Sequence, residues 1–296
     1  MTTQPSPRRE RRAAGSASGT RLSRAGRNLP VATGVGLSLG AVILASLLFR
    51  KEGFLGVLIV AACLAVWELR DGLGRGKIRI PLVPSIVGAV TMIAASFVGG
   101  GQALTVCFGL TCISVLLWRV SDGLQDAIRD IAGGIFVAAY VPLLASFSSL
   151  LLAAPDGAKR VIVFIVVTIC SDIGGFAVGV LVGRHPMVPS ISPKKSWEGA
   201  AGSVLACVSA GVVTVMVILG GTWWAGAALG LAVAVSATVG DLTESMIKRD
   251  LGVKDMGNIL PGHGGFMDRM DSLLLSAPVA WALLTLLVPF TVVPVA

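Results

Sequence analysis

Hydrophobic residues in this chain gather into nine runs, at 31–49, 53–69, 80–98, 103–118, 131–151, 161–182, 199–219, 223–246 and 272–293, and the segments between them hold most of the charge. A helix needs about 20 mostly apolar residues to cross a bilayer. The pattern therefore predicts an all-α, polytopic integral membrane protein with about nine transmembrane helices, of which the second and fourth are the shortest. Ahead of the first run, residues 1–29 carry seven arginines, one acid and mostly Ser, Thr, Gly and Ala. With so little to bury, a basic, disordered cytosolic tail is expected there. The first run starts late and lacks a small-residue cleavage pattern behind it, so it reads as an uncleaved span and not a signal peptide.

Charge orients these spans. With the N-terminus in the cytosol, the tail and segments 70–79, 119–130, 183–198 and 247–271 share one side and hold 20 of the 24 Lys and Arg residues. Arg50, Lys51, Lys159 and Arg160 remain on the other. Cytosolic loops retain positive residues, so the chain reads as N-in and C-out in the cell membrane. The two longest cytosolic loops, 183–198 and 247–271, lie late in the sequence. The division expected is a tail at 1–29, N-terminal transmembrane helices at 30–160 and a C-terminal transmembrane catalytic region at 161–296, with its active site facing the cytoplasm.

Composition agrees with the pattern and narrows it. Hydrophobic residues make up 54% of the chain, 37 glycines add to them, and only 14% of residues are charged; mean hydropathy is +0.85. That excludes an ordinary soluble enzyme and a disordered chain. A pI near 9.7 does not signal a nucleic-acid partner, because the tail supplies +6 of the net +8. Five cysteines, none in a C-x-x-C pair and all inside apolar runs, imply neither a disulfide framework nor a zinc site.

Against this background, acids within spans stand out. Asp172 falls mid-span, and Asp241 and Glu244 fall near the cytosolic end of the eighth run. A carboxylate at a helix centre costs about 2.5 to 3.5 kcal/mol on insertion scales, less near the interface, so it needs a partner or a function. Glu68, beside Arg70 at a span end, reads most simply as half of an interfacial pair. Asp241 and Glu244 are three residues apart, as are Asp268 and Asp271, so on helices each pair shares a face. Together they would form an oxygen cage suited to a hard cation such as Mg²⁺.

The last cytosolic loop also holds Lys248, Arg249, Lys254 and Arg269, around a Gly-rich turn at 260–265 that can bring backbone N–H groups close to an anion. His263 in that turn is either a loop-locking hydrogen bonder or a direct substrate contact. The preceding loop contains Ser192-Pro193-Lys194-Lys195-Ser196-Trp197-Glu198-Gly199; positive-inside topology alone would also explain its lysine pair. No G-x-x-x-x-G-K-[ST] stretch is present, so this is not a P-loop site.

At these residues the sequence resembles the phosphatidate cytidylyltransferases. The run from Ser245 to Asp271 matches that family's signature at Ser245, Lys248, Arg249, Lys254, Asp255, His263, Gly264, Gly265, Asp268, Arg269 and Asp271. Ser171-Asp172 and Ser192 to Gly199 look like its two other motifs. Val180 and Pro186 stand where the family commonly has basic residues, leaving Arg184 as the phosphate-contact candidate there, and Ser196 replaces the usual threonine with its hydroxyl kept.

The resemblance implies transfer of a cytidylyl group from CTP to phosphatidic acid, with CDP-diacylglycerol and pyrophosphate as products. It implies Asp241, Asp268, Asp271 and Asp172 as metal ligands for Mg²⁺, with a second cation left open. Asp241, Asp268, Lys248, Arg249 and His263 become the catalytic set, and Lys194, Lys195, Ser192, Arg269, Gly264, Gly265 and Lys254 the substrate-binding set. The expected partners are CTP, phosphatidic acid and the lipid bilayer, with no nucleic acid and a homodimer as an open form. A CTP-dependent lipid-alcohol kinase and, from another class, an ion-coupled transporter are the competing readings. A phosphatidyltransferase is disfavoured, since Asp122-Gly123 is not followed by its D-G-x-x-A-R motif.

Overall fold

Apolar stretches surrounded by hydrocarbon must satisfy their own backbone hydrogen bonds, which makes helices the default here. The computed structural model describes residues 29–253, 255–257 and 265–289. Among the described residues nine α-helices run in order: α1 Leu29–Phe49, α2 Lys51–Arg75, α3 Leu82–Ser121, α4 Ala127–Ala138, α5 Leu144–Ala153, α6 Gly157–Val182, α7 Trp197–Leu219, α8 Trp223–Asp250 and α9 Met267–Leu287. Seven helical stretches among the described residues are long and apolar enough to cross a membrane, so the protein is a multi-pass membrane protein.

The helices and the nine apolar runs differ instructively. The third and fourth runs are joined in α3, whose 40 residues are interrupted at Gly100 (φ 65°, ψ −156°). Only glycine adopts that conformation without penalty. The chain doubles back there: Gly88 touches Thr111, so closely that a methyl group on Gly88 would strike it. In a straight helix these residues would lie about 35 Å apart. One α3 therefore makes two crossings. Conversely, the fifth run is divided into α4 and α5 by a π-helical turn, Ala139–Leu143, that accommodates Pro142.

Three segments taken as loops are partly structured. Segment 70–79 continues α2 to Arg75. Segment 183–198 contains a two-stranded antiparallel hairpin, β1 Pro186–Val188 and β2 Ser192–Ser196. Segment 247–271 loses its ends to α8 and α9. The 1–28 tail, Lys254 and the Gly-rich turn's residues 258–264, including His263 and Gly264, lie outside the described residues.

Among the described residues the larger of two clusters of buried apolar residues extends from Leu47 of α1 to Val288 beyond α9. Within it α6, α7, α8 and α9 pack tightly, because small residues let backbones approach. A Cβ on Gly202 of α7 would lie 2.6 Å from the Gly174 carbonyl oxygen of α6, and one on Gly240 of α8 would lie 2.5 Å from the Asp271 carbonyl oxygen of α9. Polar anchors fix both ends of α9. Arg160, only 2% exposed, pairs with Asp156 at 2.6 Å and donates to the Leu284 and Val288 carbonyls at 2.7 and 2.6 Å. A cation at a helix C-terminus complements the macrodipole. It also shows that one of the four basic residues assigned to the far side is there to hold a helix end.

Candidate active site

At the bundle end opposite Arg160, α6, α7, α8, α9 and the hairpin enclose a cavity of about 520 Å³. Helical spacing explains which side chains reach it. Asp241, Glu244, Ser245 and Lys248 lie at i, i+3, i+4 and i+7 on α8 and form one face, and Asp268 and Asp271 do the same on the first turns of α9. Asp172 enters from α6, and Lys194 and Lys195 from β2. Ser196 explains why its hydroxyl is kept: its Oγ accepts the Gly199 N–H at 3.1 Å and caps α7, fixing the lysine pair beside the cavity.

Two ammonium groups organise the carboxylates. Lys195 Nζ lies 2.5 Å from Asp241 Oδ2. The other oxygen of Asp241 accepts the Ser272 hydroxyl, and Ser272 Oγ stands 3.5 Å from Asp172 Oδ1. Two acids distant in sequence thus meet around one hydroxyl. Lys248 Nζ bridges Glu244 Oε2 and Asp268 Oδ1, at 2.8 Å each. Asp268 Oδ2 also accepts the Gly265 N–H at 2.7 Å and the Met256 N–H at 3.3 Å. Glu244 is 1% exposed, and its carboxyl lies against that of Asp271 within side-chain hydrogen-bonding reach.

Several expectations change in detail. Among the described residues, no three of His, Cys, Asp and Glu come together as a ready metal cage. The four expected ligands are divided: Asp172 and Asp241 meet at Ser272, Asp271 faces Glu244, and Asp268 is engaged by Lys248 and two backbone amides. Gly265 spends its N–H on Asp268, and its lack of a side chain is steric, since a Cβ there would lie 2.7 Å from Glu68 Oε2. Ser192, Arg249 and Arg184 do not line the cavity; Arg249 Nε reaches the Ile191 carbonyl at 3.4 Å and ties α8 to the hairpin.

Glu68 and Ser272 were missed. Glu68 is 2% exposed, and its Oε2 accepts the Met267 N–H at the start of α9 from 2.8 Å, while Arg70 turns away to the Ile80 carbonyl. The Glu68–Arg70 pair read from sequence spacing is therefore replaced by a carboxylate at a helix N-terminus. Its lone acid in an apolar run was the available signal. Ser272 carried none, because a serine within a span reads as packing.

Among the described residues the cavity lining holds six acids and four cations, with no His or Cys. This all-oxygen set fits a hard divalent cation, and a polyanion entering it needs more positive charge than the side chains supply. Fold and site together define a multi-pass membrane protein with a charged, oxygen-lined cavity at one end of its helix bundle. Comparison with known proteins makes the assignment specific. Residues 31–287 match the model of the cytidylyltransferase family. The phosphatidate cytidylyltransferase of Mycobacterium bovis is 40% identical over 283 residues, 90% of this chain and 92% of that protein. That of Mycobacterium leprae is 41% identical over 280 residues, covering 89% and 90%, and that of Brucella suis 33% over 180 residues, covering 60% and 64%. This chain belongs to the cytidylyltransferase family, and the likeness extends through the N-terminal helices that carry no recognised motif.

Proposed function

We propose that this chain transfers the cytidylyl group of CTP to phosphatidic acid, giving CDP-diacylglycerol and pyrophosphate for phospholipid synthesis, in the cell membrane with its cavity open to the cytoplasm. The observation that carries the reading is the convergence of Asp172, Lys195, Asp241, Lys248 and Asp268 from four separate segments on one half-buried cavity. Two anionic substrates must meet, so charge neutralisation is the main barrier. Lys194, Lys195, Lys248 and Arg269 hold their phosphates, and Arg249 acts from the rim. A lipid-phosphate oxygen attacks the α-phosphorus of CTP as the bond to the bridging oxygen of the β-phosphate breaks, and pyrophosphate leaves with that electron pair. No protein nucleophile is needed.

Asp172 and Asp241, joined through Ser272, with Asp271 nearby, would hold Mg²⁺, which when bound neutralises triphosphate charge. Asp268 keeps Lys248 aimed into the cavity. The test is purified protein with CTP, phosphatidic acid and Mg²⁺. The expected outcome is a CDP-lipid with stoichiometric pyrophosphate; CDP together with a phosphorylated lipid would mean a kinase, and no nucleotide turnover would refute the assignment.

A further inference from the structure

A smaller cavity of about 100 Å³ lies behind α9 and is almost wholly apolar. It is walled by Phe266 just ahead of α9 and Met270 and Leu274 of α9, with Leu58 of α2, Phe164 of α6 and Ile43 of α1 opposite. Helical geometry relates it to the reaction cavity. At 100° per residue, Asp268, Asp271 and Ser272 occupy one side of α9, and Phe266, Met270 and Leu274 occupy the other. Arg269 falls between these faces, is exposed, and lines both cavities. The apolar walls run away from the charged end: Glu68 of α2 is level with Met267, and Leu58 lies ten residues, about 15 Å, deeper.

We infer that this pocket is an acyl-chain subsite, in which a short stretch of one fatty chain of the lipid substrate lies along the apolar face of α9 while its phosphate turns past Arg269 into the reaction cavity. The occupant follows from continuity. A single cationic residue is shared by a phosphate-handling space and a hydrocarbon-lined one, and phosphatidic acid carries both groups on one glycerol. Arg269 can keep its charged head at headgroup depth with its stem against apolar surface. The inference rests on the cytidylyl-transfer reading.

Ala61 lines the pocket from α2 and does not line the reaction cavity, so Ala61→Phe fills space in the pocket from the wall opposite α9. The variant should lower kcat/KM for dioleoyl phosphatidic acid roughly tenfold while leaving dihexanoyl phosphatidic acid and CTP within about twofold of wild type, because only a long chain reaches the filled volume. Equal loss with both lipids, or loss with neither, overturns the subsite. The unaltered protein gives an independent measurement: phosphatidic acid bearing a mid-chain diazirine should crosslink to peptides containing Met270, Leu274 or Phe164. Adducts confined to outward-facing positions such as Leu205 and Val217 overturn it as well. If wild-type protein forms no CDP-lipid from either lipid, the underlying reaction is wrong, an outcome distinct from loss of chain-length discrimination.

Discussion

Asp241 and Asp268 line the same cavity but have different partners. Asp241 has one oxygen on Lys195 and the other on Ser272, within reach of Asp172. Asp268 divides its oxygens between Lys248 and two backbone amides. Replacing either by Asn keeps its size and removes its charge. Each change is expected to cost more than about tenfold in rate, about 1.4 kcal/mol of barrier, and a Mg²⁺ titration should separate them. Asp241→Asn should need more Mg²⁺ to reach its own maximum, whereas Asp268→Asn should keep the wild-type requirement; a shift for Asp268→Asn alone would exchange the two roles. The lysines differ in the same way. Lys194 is exposed, whereas Lys248 is bound between two acids. Lys194→Ala should raise KM for a phosphate substrate with the fold unchanged. Lys248→Ala leaves Glu244 and Asp268 facing each other without a cation, so it should lower both activity and melting temperature in detergent, by roughly 1 to 3 kcal/mol of stability. An unchanged melting temperature would show that this ion pair holds nothing together.

The decisive link between elements is Glu68, which carries α2 to the N-terminus of α9 and so sets the position of Asp268, Arg269 and Asp271. The Glu68→Ala variant leaves the Met267 N–H without its acceptor and opens space against Gly257 and Gly265. A loss of about 1 to 3 kcal/mol is expected, read as a lower melting temperature together with reduced activity, although Glu68 does not line the reaction cavity. Normal activity and stability in this variant would sink the link. Such links were not legible in the sequence. Lys248 and Asp268 could be read as chemistry, because charge in an apolar chain is conspicuous and its spacing on a helix is regular. What those charges touch depends on how helices distant in sequence pack. Spacing put Glu68 with Arg70, its neighbour in the chain, yet the structure pairs it with a backbone amide 199 residues away. For the same reason the four carboxylates read as one cage, and only the packing of α6, α8 and α9 shows which of them meet at Ser272.

At the scale of the molecule, the apolar runs were legible because the bilayer imposes one length on every crossing, and apart from the fifth, divided at Ala139–Leu143, the described residues of each run lie in a helix through all but its ends. Less visible was how the crossings connect: the turn at Gly100 that makes α3 double back depends on one glycine among 37, and the hairpin bearing Lys194 and Lys195 is too short to leave a period-two pattern. Both features leave the number of crossings odd or even as the runs imply. The reaction cavity is formed by the hairpin, the C-terminal half of α8 and the start of α9, all at the end carrying the excess of Lys and Arg, while Arg160 and Asp156 mark the opposite end. Single cysteines in a background with all five native cysteines replaced test this arrangement. Ser190 lies exposed between the strands and Pro155 lies exposed between α5 and α6. Pro155 is the suitable far-side position, because neighbouring Gly157 packs against the Leu152 carbonyl and accepts no side chain, and Asp156 is paired with Arg160. With an impermeant thiol reagent applied to intact cells, Pro155→Cys should label and Ser190→Cys should label only after the membrane is opened. The reverse pattern would put the cavity on the side away from cytosolic CTP, and with it the nucleotide-dependent reaction would fall.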